Sequence, residues 1–331
     1  MTVLPAKGSP GYTREPAAPA EGLLARVLWN PIIAKELQTR MRGWHSMALL
    51  TGFLCVTGGF GYLVYSSAVA GSVSVVQVGA VGDDLFSALA VAVLVVIPLV
   101  VPGLVSPAIS GEREHKTLDL LLVTPLHPAR IVVGKLVAAT AFVVLLIVAA
   151  VPLFSVAFLL GGVALSQVAE LLCFALVGVV CIGSVGMFVS TAVRHTSTAT
   201  VVAYLAMLAL VAGPLVAGYA LDRAFDPGSS SNGLDPGYQA LSGAPGVVYS
   251  LSPLVGADGV LQNGACNTDA LSFPAPFSGT AFGCGSASLY TTDLGPLGTW
   301  RTWELTLLAE GALTVAALGG SVWLLRRRDL T

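Results

Sequence analysis

Charge is scarce in this sequence. Lysine, arginine, aspartate and glutamate together make up 10% of its 331 residues, whereas hydrophobic residues make up 55%. A soluble globular domain carries about a quarter charged residues, so this composition excludes a soluble domain. The formal net charge of −2 offers no basic face that could neutralise phosphates, which argues against nucleic acid as a partner.

Motifs for catalysis and metal binding are also missing. There is no G-x-x-x-x-G-K-[ST] phosphate loop, because Gly134-Lys135 lacks the upstream glycine and is followed by Leu136. No G-x-S-x-G or comparable nucleophile pattern occurs. No histidine has a second ligand at helical or hairpin spacing, so no metal site is predicted. The histidines are His45, His115, His127 and His195. The chain is therefore not expected to be an enzyme.

Long apolar runs are what the sequence does contain. A bilayer-spanning helix needs about 20 mostly apolar residues, and six runs meet that requirement. The predicted spans are Trp44–Tyr65, Leu85–Ile109, Ile131–Leu160, Val168–Val193, Ala199–Leu221 and Trp303–Leu325. The predicted fold class is an all-α polytopic membrane protein. Prolines in the second span should kink it, and they are Pro98, Pro102 and Pro107.

The basic residues are distributed unevenly between the two sides of these spans. Six spans place both termini on one side, together with all but two of the 16 lysines and arginines. Only Arg223 and Arg301 fall on the other side. The positive-inside rule then predicts cytoplasmic N- and C-termini in a plasma membrane, the inner membrane of a bacterial cell.

The same reading divides the chain into segments. Residues 1–28 are rich in Pro, Ala and Gly and are predicted to be a disordered cytoplasmic tail, without a cleavable signal peptide. The permease domain is predicted over 29–325 and a basic cytoplasmic C-terminus over 326–331. Inside that domain lie an interfacial helix at 29–43, a cytoplasmic loop at 110–130 and an extracytoplasmic segment at 222–300.

A dense polar patch follows the second span. The stretch ISGEREHKTLDLLLVTP, Ile109–Pro125, carries five charges within eight residues, and each would cost about 3 kcal/mol in the bilayer core. A short surface helix is predicted, with Ser110 as its N-cap and acidic residues in its first turn. Glu112 and Lys116 have the spacing of an ion pair. Either a simple amphipathic surface helix or a docking site for a soluble partner fits this pattern.

The stretch NPIIAKELQTRMR, Asn30–Arg42, predicts a helix that lies in the membrane interface. Asn30 can cap it, Pro31 suits its first position, and an apolar stripe repeats every four residues. Polar residues lie off the stripe, and they are Lys35, Glu36, Arg40 and Arg42. The alternative is a basic stop before the first span.

The run SPAISGEREHKTLDLLLVTPLHPARIVVGKL, Ser106–Leu136, resembles the cytoplasmic loop of type-2 ATP-binding-cassette (ABC) transporter permeases. Asn30–Arg42, the C-terminal WLLRRRDL and the break at Arg194-His195-Thr196 fit the same family. The resemblance implies that Glu112–Leu122 is a coupling helix seated in a groove of a separate ATPase. The docking residues would be Glu112, Arg113, Glu114, Lys116, Thr117, Leu118, Asp119, Leu121 and Leu122. Arg194 and His195 would form a second cytoplasmic contact.

This resemblance implies a permease subunit of an ATP-driven exporter. Two such subunits, identical or different, would form the path, and two ABC ATPase subunits would bind ATP and Mg²⁺ beneath them. No cofactor is then expected in this chain, and membrane lipid is its remaining partner. Two alternatives stay open, namely a permease-like anchor or regulatory subunit without cargo, and an ion-coupled secondary transporter.

The extracytoplasmic segment contains one apolar stretch, Gly246–Leu261, which is too short to span the bilayer and is predicted to be a re-entrant or interfacial helix. Cys266 and Cys284 lie in the same segment, where disulfides are permitted, and are predicted to pair. Two free thiols are the alternative.

One acid lies inside a predicted span. Glu310 is 16 residues before Arg326, about 24 Å along a helix, which places it toward the outer leaflet. An intramembrane carboxylate is a functional candidate, in a cavity or paired with Arg301 or Arg223. The alternative is a side chain that snorkels to the outer surface.

Overall fold

A computed structural model describes residues 43–70, 78–114, 128–161, 163–225, 248, 251–256, 291–293 and 299–328. Seven helices are formed within these residues: α1 Trp44–Ala70, α2 Val78–Val105, α3 Pro107–Glu114, α4 Pro128–Leu160, α5 Leu165–Ala192, α6 Thr196–Phe225 and α7 Thr302–Arg328. Six helical stretches in the described part are long and apolar enough to cross a membrane, and α3 continues the second of them. The predicted helical fold class and its six spans are confirmed.

The helices extend beyond the apolar runs that predict them. Helix α2 begins at Val78 and therefore includes Asp83 and Asp84, which precede the predicted second span. Helix α4 begins at Pro128, because proline lacks the N–H that the first helical position leaves unused. Hydropathy marks only the part of a helix that suits hydrocarbon, whereas backbone hydrogen bonding continues into the polar ends.

The helix that contains the start of the polar patch begins before Ser110, so the prediction of Ser110 as its N-cap is wrong. The chain turns at Ser106, and Pro107 opens α3. Ser110 lies within α3, where it is fully buried and its Oγ donates to the Ser106 carbonyl at 2.8 Å. Glu112 and Glu114 consequently lie at the C-terminal end of α3 rather than in a first turn.

A small hairpin precedes the last span and adds strand to the helical fold. Strand β1, Thr291–Asp293, pairs antiparallel with β2, Thr299–Arg301, and Thr292 lies opposite Trp300. β-branched and aromatic residues favour extended backbone, and the intervening sequence LGPLG is rich in turn-forming residues. The hairpin leads directly into α7.

The bundle core lies between α2, α4 and α5. Its fully buried side chains include Val93 of α2, Val143 and Phe154 of α4, and Leu171 of α5. More than half of the apolar part of α5 is buried, whereas only about a tenth of that of α6 is. Helix α5 is therefore the central element, and α6 lies at the periphery of the single chain.

A short helical turn, 253–256, packs between the last two spans. The Ser252 hydroxyl donates to the Val211 carbonyl of α6 at 2.8 Å. Gly256 lies against α7 so closely that a Cβ there would be 2.4 Å from Thr306 Oγ1. This turn belongs to the stretch predicted as a re-entrant helix. Its position in a membrane stays a prediction.

Candidate functional site

Four helix ends meet at one end of the bundle: the ends of α3 and α5 and the starts of α4 and α6. Charged and hydroxyl side chains join them into what we call the basic-end cluster. Its members are Ser106, Ser110, Glu112, Arg113, Glu114, Lys135, Ser190, Thr196 and Thr200.

Lys135 binds α3 to α4. Its ammonium Nζ lies 2.6 Å from Glu112 Oε1 and donates to the Ala108 carbonyl at 2.8 Å. The Lys135 side chain is 5% exposed and that of Glu112 is 30% exposed. A lysine this buried needs a carboxylate partner, because an unpaired ammonium in an apolar interior is strongly unfavourable.

Arg113 binds α3 to the end of α5. Its guanidinium donates to the carbonyls of Thr191 at 3.0 Å and Val193 at 3.2 Å. The last carbonyls of a helix have no partner within that helix, and a basic side chain satisfies them while also interacting favourably with the helix dipole.

Glu114 contacts the start of α6. The Thr196 hydroxyl donates to Glu114 Oε2 at 2.5 Å, and His195 Nδ1 lies 3.6 Å from Glu114 Oε1. Thr196 is the first residue of α6, where the positive end of the helix dipole favours a carboxylate. Unlike Lys135, this group is exposed to solvent.

Ser190 caps α3 from a different helix. Its Oγ accepts hydrogen bonds from the backbone N–H groups of Ile109 and Ser110, each at 3.0 Å. The first N–H groups of a helix have no partner within it, so Ser190 of α5 provides what a local N-cap would. Ser106, in the turn between α2 and α3, shares a further hydroxyl hydrogen bond of 2.8 Å with Thr200 of α6.

These contacts fix α3 to three spans at once. Glu112 holds it to α4, Arg113 and Ser190 hold it to α5, and Glu114 holds it to α6. A displacement of the chain at the end of α3 therefore acts on all three helices. No acid–base or nucleophilic chemistry is suggested by this arrangement, whose members serve to connect helices.

The family model described as ABC-2 family transporter protein matches residues 30–330. The chain belongs to this family. The match covers all six spans and the whole basic-end cluster. No curated protein matches the chain.

Membership makes this chain a multi-pass membrane permease subunit of an ABC transporter. Such a permease is a membrane subunit and not itself a hydrolase, and it associates with ABC ATPase subunits.

The structure places part of the predicted docking set. Glu112, Arg113 and Glu114 lie together at the end of α3, and Arg194 and His195 are exposed in the break between α5 and α6. The remaining docking residues lie outside the described residues, and they are Lys116, Thr117, Leu118, Asp119, Leu121 and Leu122. Lys35, Glu36, Arg40, Arg42, Cys266 and Cys284 lie outside them as well.

Sequence reasoning missed the partners of these charges. The spacing of Glu112 and Lys116 predicts an ion pair, which stays a prediction because Lys116 lies outside the described residues, and the structure places Lys135 on the Glu112 carboxylate. The sequence assigned no role to Ser190 or Thr196. Lys135 follows a glycine at the start of an apolar run, and a charge in such a position needs a partner. This pattern could have identified Lys135 as a residue with a buried partner. A buried serine within a span carries no comparable signal.

The permease buries Glu310 within the bundle. Its side chain is 2% exposed, so the alternative in which it snorkels to the surface is wrong. Neither carboxylate oxygen has a hydrogen-bond partner in the part of the chain that the structure describes. The side chains of Arg223 and Arg301 are not among those described, and pairing with them stays a prediction.

Proposed function

We propose that this permease is the membrane subunit of an ATP-driven exporter and that two ABC ATPase subunits dock on the segment after α3. The observation that supports this most is the attachment of α3 to α4, α5 and α6 by the basic-end cluster. Residues 115–122 follow α3 in the sequence and carry the remaining predicted docking side chains, including Leu121 and Leu122.

In this proposal, the ATPase pushes on 115–122 when it closes around ATP. Because α3 is held by hydrogen bonds and an ion pair rather than by apolar contact alone, it passes the displacement to three spans as one unit. Lys135 transfers it to α4, Arg113 to the end of α5, and Glu114 to the start of α6. The spans then open a path away from the ATPase.

The proposal requires the basic end of the bundle to face the cytoplasm, where ATPases bind ATP. The asymmetry of lysine and arginine supports that orientation, with both termini inside a plasma membrane. The helix predicted over 29–43 would then lie in the same interface, with basic groups toward lipid phosphates.

We also propose that the path forms between two copies of the permease or between it and a related subunit. Apolar side chains of α2 and α6 are exposed on the single chain, including Leu99 at 57% and Leu205 at 60%. Val201, Leu208 and Val216 continue this exposed set along α6. A second subunit covering these helices fits the low burial of α6.

Docking is tested by purifying the tagged permease from native membranes in mild detergent. The wild type is expected to carry a stoichiometric ATPase and to show ATP hydrolysis, and Glu114→Arg/Leu121→Asp is expected to lose both. Glu170→Arg/Leu165→Asp is the matched control, because it makes the same changes at exposed residues of α5 far from the basic-end cluster. Native mass spectrometry of the complex counts the permease copies.

Three outcomes would contradict parts of the proposal. A wild-type sample without any ATPase removes the docking model and favours the ion-coupled transporter. If the Glu114→Arg/Leu121→Asp variant retains the ATPase, docking must depend on other residues. A complex that contains ATPase but moves no cargo in vesicles favours the anchor or regulatory subunit.

A further inference from the structure

Helices α5 and α7 enclose Glu310 inside the bundle. The face of α7 toward α5 carries Trp303, Glu310 and Thr314, and the facing residues of α5 are Phe174, Gly178 and Cys181. We call these six residues the α5–α7 seam. Gly178 makes room for the acid, since a Cβ there would lie 3.9 Å from Glu310 Oε1.

The carboxyl group of Glu310 forms no hydrogen bond with the other side chains of this seam. Both of its oxygens are buried and without a hydrogen-bond partner among the described residues. Thr314 is close, but its hydroxyl donates to the backbone carbonyl of Glu310 at 2.7 Å rather than to the carboxyl group. The carboxyl group is therefore held in an apolar pocket by packing alone.

Few charged groups face Glu310 from the neighbouring elements. Cys181 is the titratable residue of α5 beside it, since Glu170 and Cys173 of the same helix are exposed. Helix α4 carries its titratable residues, Arg130 and Lys135, at the basic end, and the turn 253–256 carries none. An ionised Glu310 would therefore have no charge partner among the described side chains, and an uncompensated charge in an apolar interior is strongly unfavourable.

The residues and the space around Glu310 limit which ligand could neutralise its carboxylate. A metal cation needs several oxygen, nitrogen or sulfur ligands, and no group of three or more His, Cys, Asp or Glu side chains occurs in the described ranges. An organic cation needs open space beside the carboxylate, whereas both Glu310 oxygens are fully buried. A proton needs neither.

We propose that Glu310 is a proton-binding site: its carboxyl group carries a proton in this conformation and releases it to water when the α5–α7 seam opens. The O–H bond breaks, its electron pair stays on the carboxylate oxygen, and the proton passes to the entering water. Opening of the seam is thereby linked to proton release, independently of whether an ATPase docks at the basic-end cluster.

Unsatisfied polar groups indicate the end of the bundle from which water enters. Trp303 Nε1 is buried without a partner in the described part of the chain, and it lies two helical turns from Glu310 on the side away from the basic end. On the other side, Ser321 is satisfied by the Ala317 carbonyl of its own helix. The route runs past Thr306, where Gly256 covers it.

Infrared spectroscopy of the purified full-length permease in lipid nanodiscs tests this proposal directly. At neutral pH the wild type is expected to show the carbonyl stretch of a protonated carboxylic acid, and Glu310→Gln is expected to lose that band. Glu170→Gln is the control and should keep it, because Glu170 is exposed on α5. Glu310→Asp should shift the band without abolishing it, which guards against a variant that loses the band by misfolding.

Exchange into D₂O tests the route. Gly256→Ala places a Cβ against Thr306 and is expected to displace the turn 253–256, so that the Glu310 band shifts in D₂O faster than in the wild type. If the Glu310→Gln spectrum differs from that of the wild type only by the loss of carboxylate bands, Glu310 is ionised and the proton site is overturned. An unchanged exchange rate in Gly256→Ala would overturn the entry route.

Discussion

The basic-end cluster and the α5–α7 seam both place charged residue types inside an apolar bundle, but in opposite ways. In the cluster, the buried ammonium of Lys135 has a carboxylate at 2.6 Å and a carbonyl at 2.8 Å. In the seam, the more deeply buried carboxyl group of Glu310 has no partner among the described residues. The first arrangement holds helices together, whereas the second leaves a group whose charge state can change.

The difference follows from the cost of burying charge. An ion pair with further hydrogen bonds offsets most of that cost only in the geometry that makes the bonds, so it favours a single arrangement of the helices. An acid without a partner lowers the cost of its burial by taking up a proton. Once water reaches the carboxyl group, the ionised form is solvated and the proton is no longer needed. We therefore expect the cluster to move as a rigid unit and the seam to respond to hydration.

The largest effect is expected from breaking the buried pair. Lys135→Met should reduce the free energy of unfolding by about 3 kcal/mol, because it leaves the Glu112 carboxylate and the Ala108 carbonyl without their ammonium partner. Denaturant unfolding in detergent measures this. Glu112→Leu/Lys135→Met should recover part of the loss, and additive losses from the two changes would show that the pair does not matter.

An intermediate effect is expected at the cap of α3. Ser190→Ala should reduce the free energy of unfolding by about 1–2 kcal/mol, since the N–H groups of Ile109 and Ser110 lose their acceptor. Ser184→Ala is the matched control on α5, because Ser184 is equally buried but bonds only the Cys181 carbonyl of its own helix. Equal losses in the two variants would argue against capping from a different helix.

The smallest effect, of opposite sign, is expected in the seam. Glu310→Leu should raise the free energy of unfolding by about 1 kcal/mol, because an apolar side chain replaces a buried polar group that has no partner among the described residues. Glu112→Leu serves as the comparison in the cluster and should be destabilising, since it leaves Lys135 unpaired. A loss of stability in Glu310→Leu would mean that the carboxyl group has a stabilising partner.

The sequence predicted the helices well and their ends less well. Apolar runs identify α1, α2 and α4 to α7, because only a helix satisfies its own backbone across a bilayer. The ends depend on local hydrogen bonding instead. Helix α3 starts at Pro107, directly after the turn at Ser106, so Ser110 lies inside the helix and cannot serve as its cap. Composition also gave no sign of the hairpin at Thr291–Arg301, since three-residue strands are shorter than any reliable pattern.

By itself, the sequence determined that this chain is a six-span helical membrane protein and that its basic residues gather on one side of the spans, because hydrophobic burial depends on composition along the chain. Tertiary structure alone decided which charges have partners. Ser190 reaches Ile109 across 81 residues of sequence, and Lys135 of α4 lies on Glu112 of α3. Glu310 has no such partner in the described bundle. Pairing depends on which helix faces meet, and no local pattern specifies that.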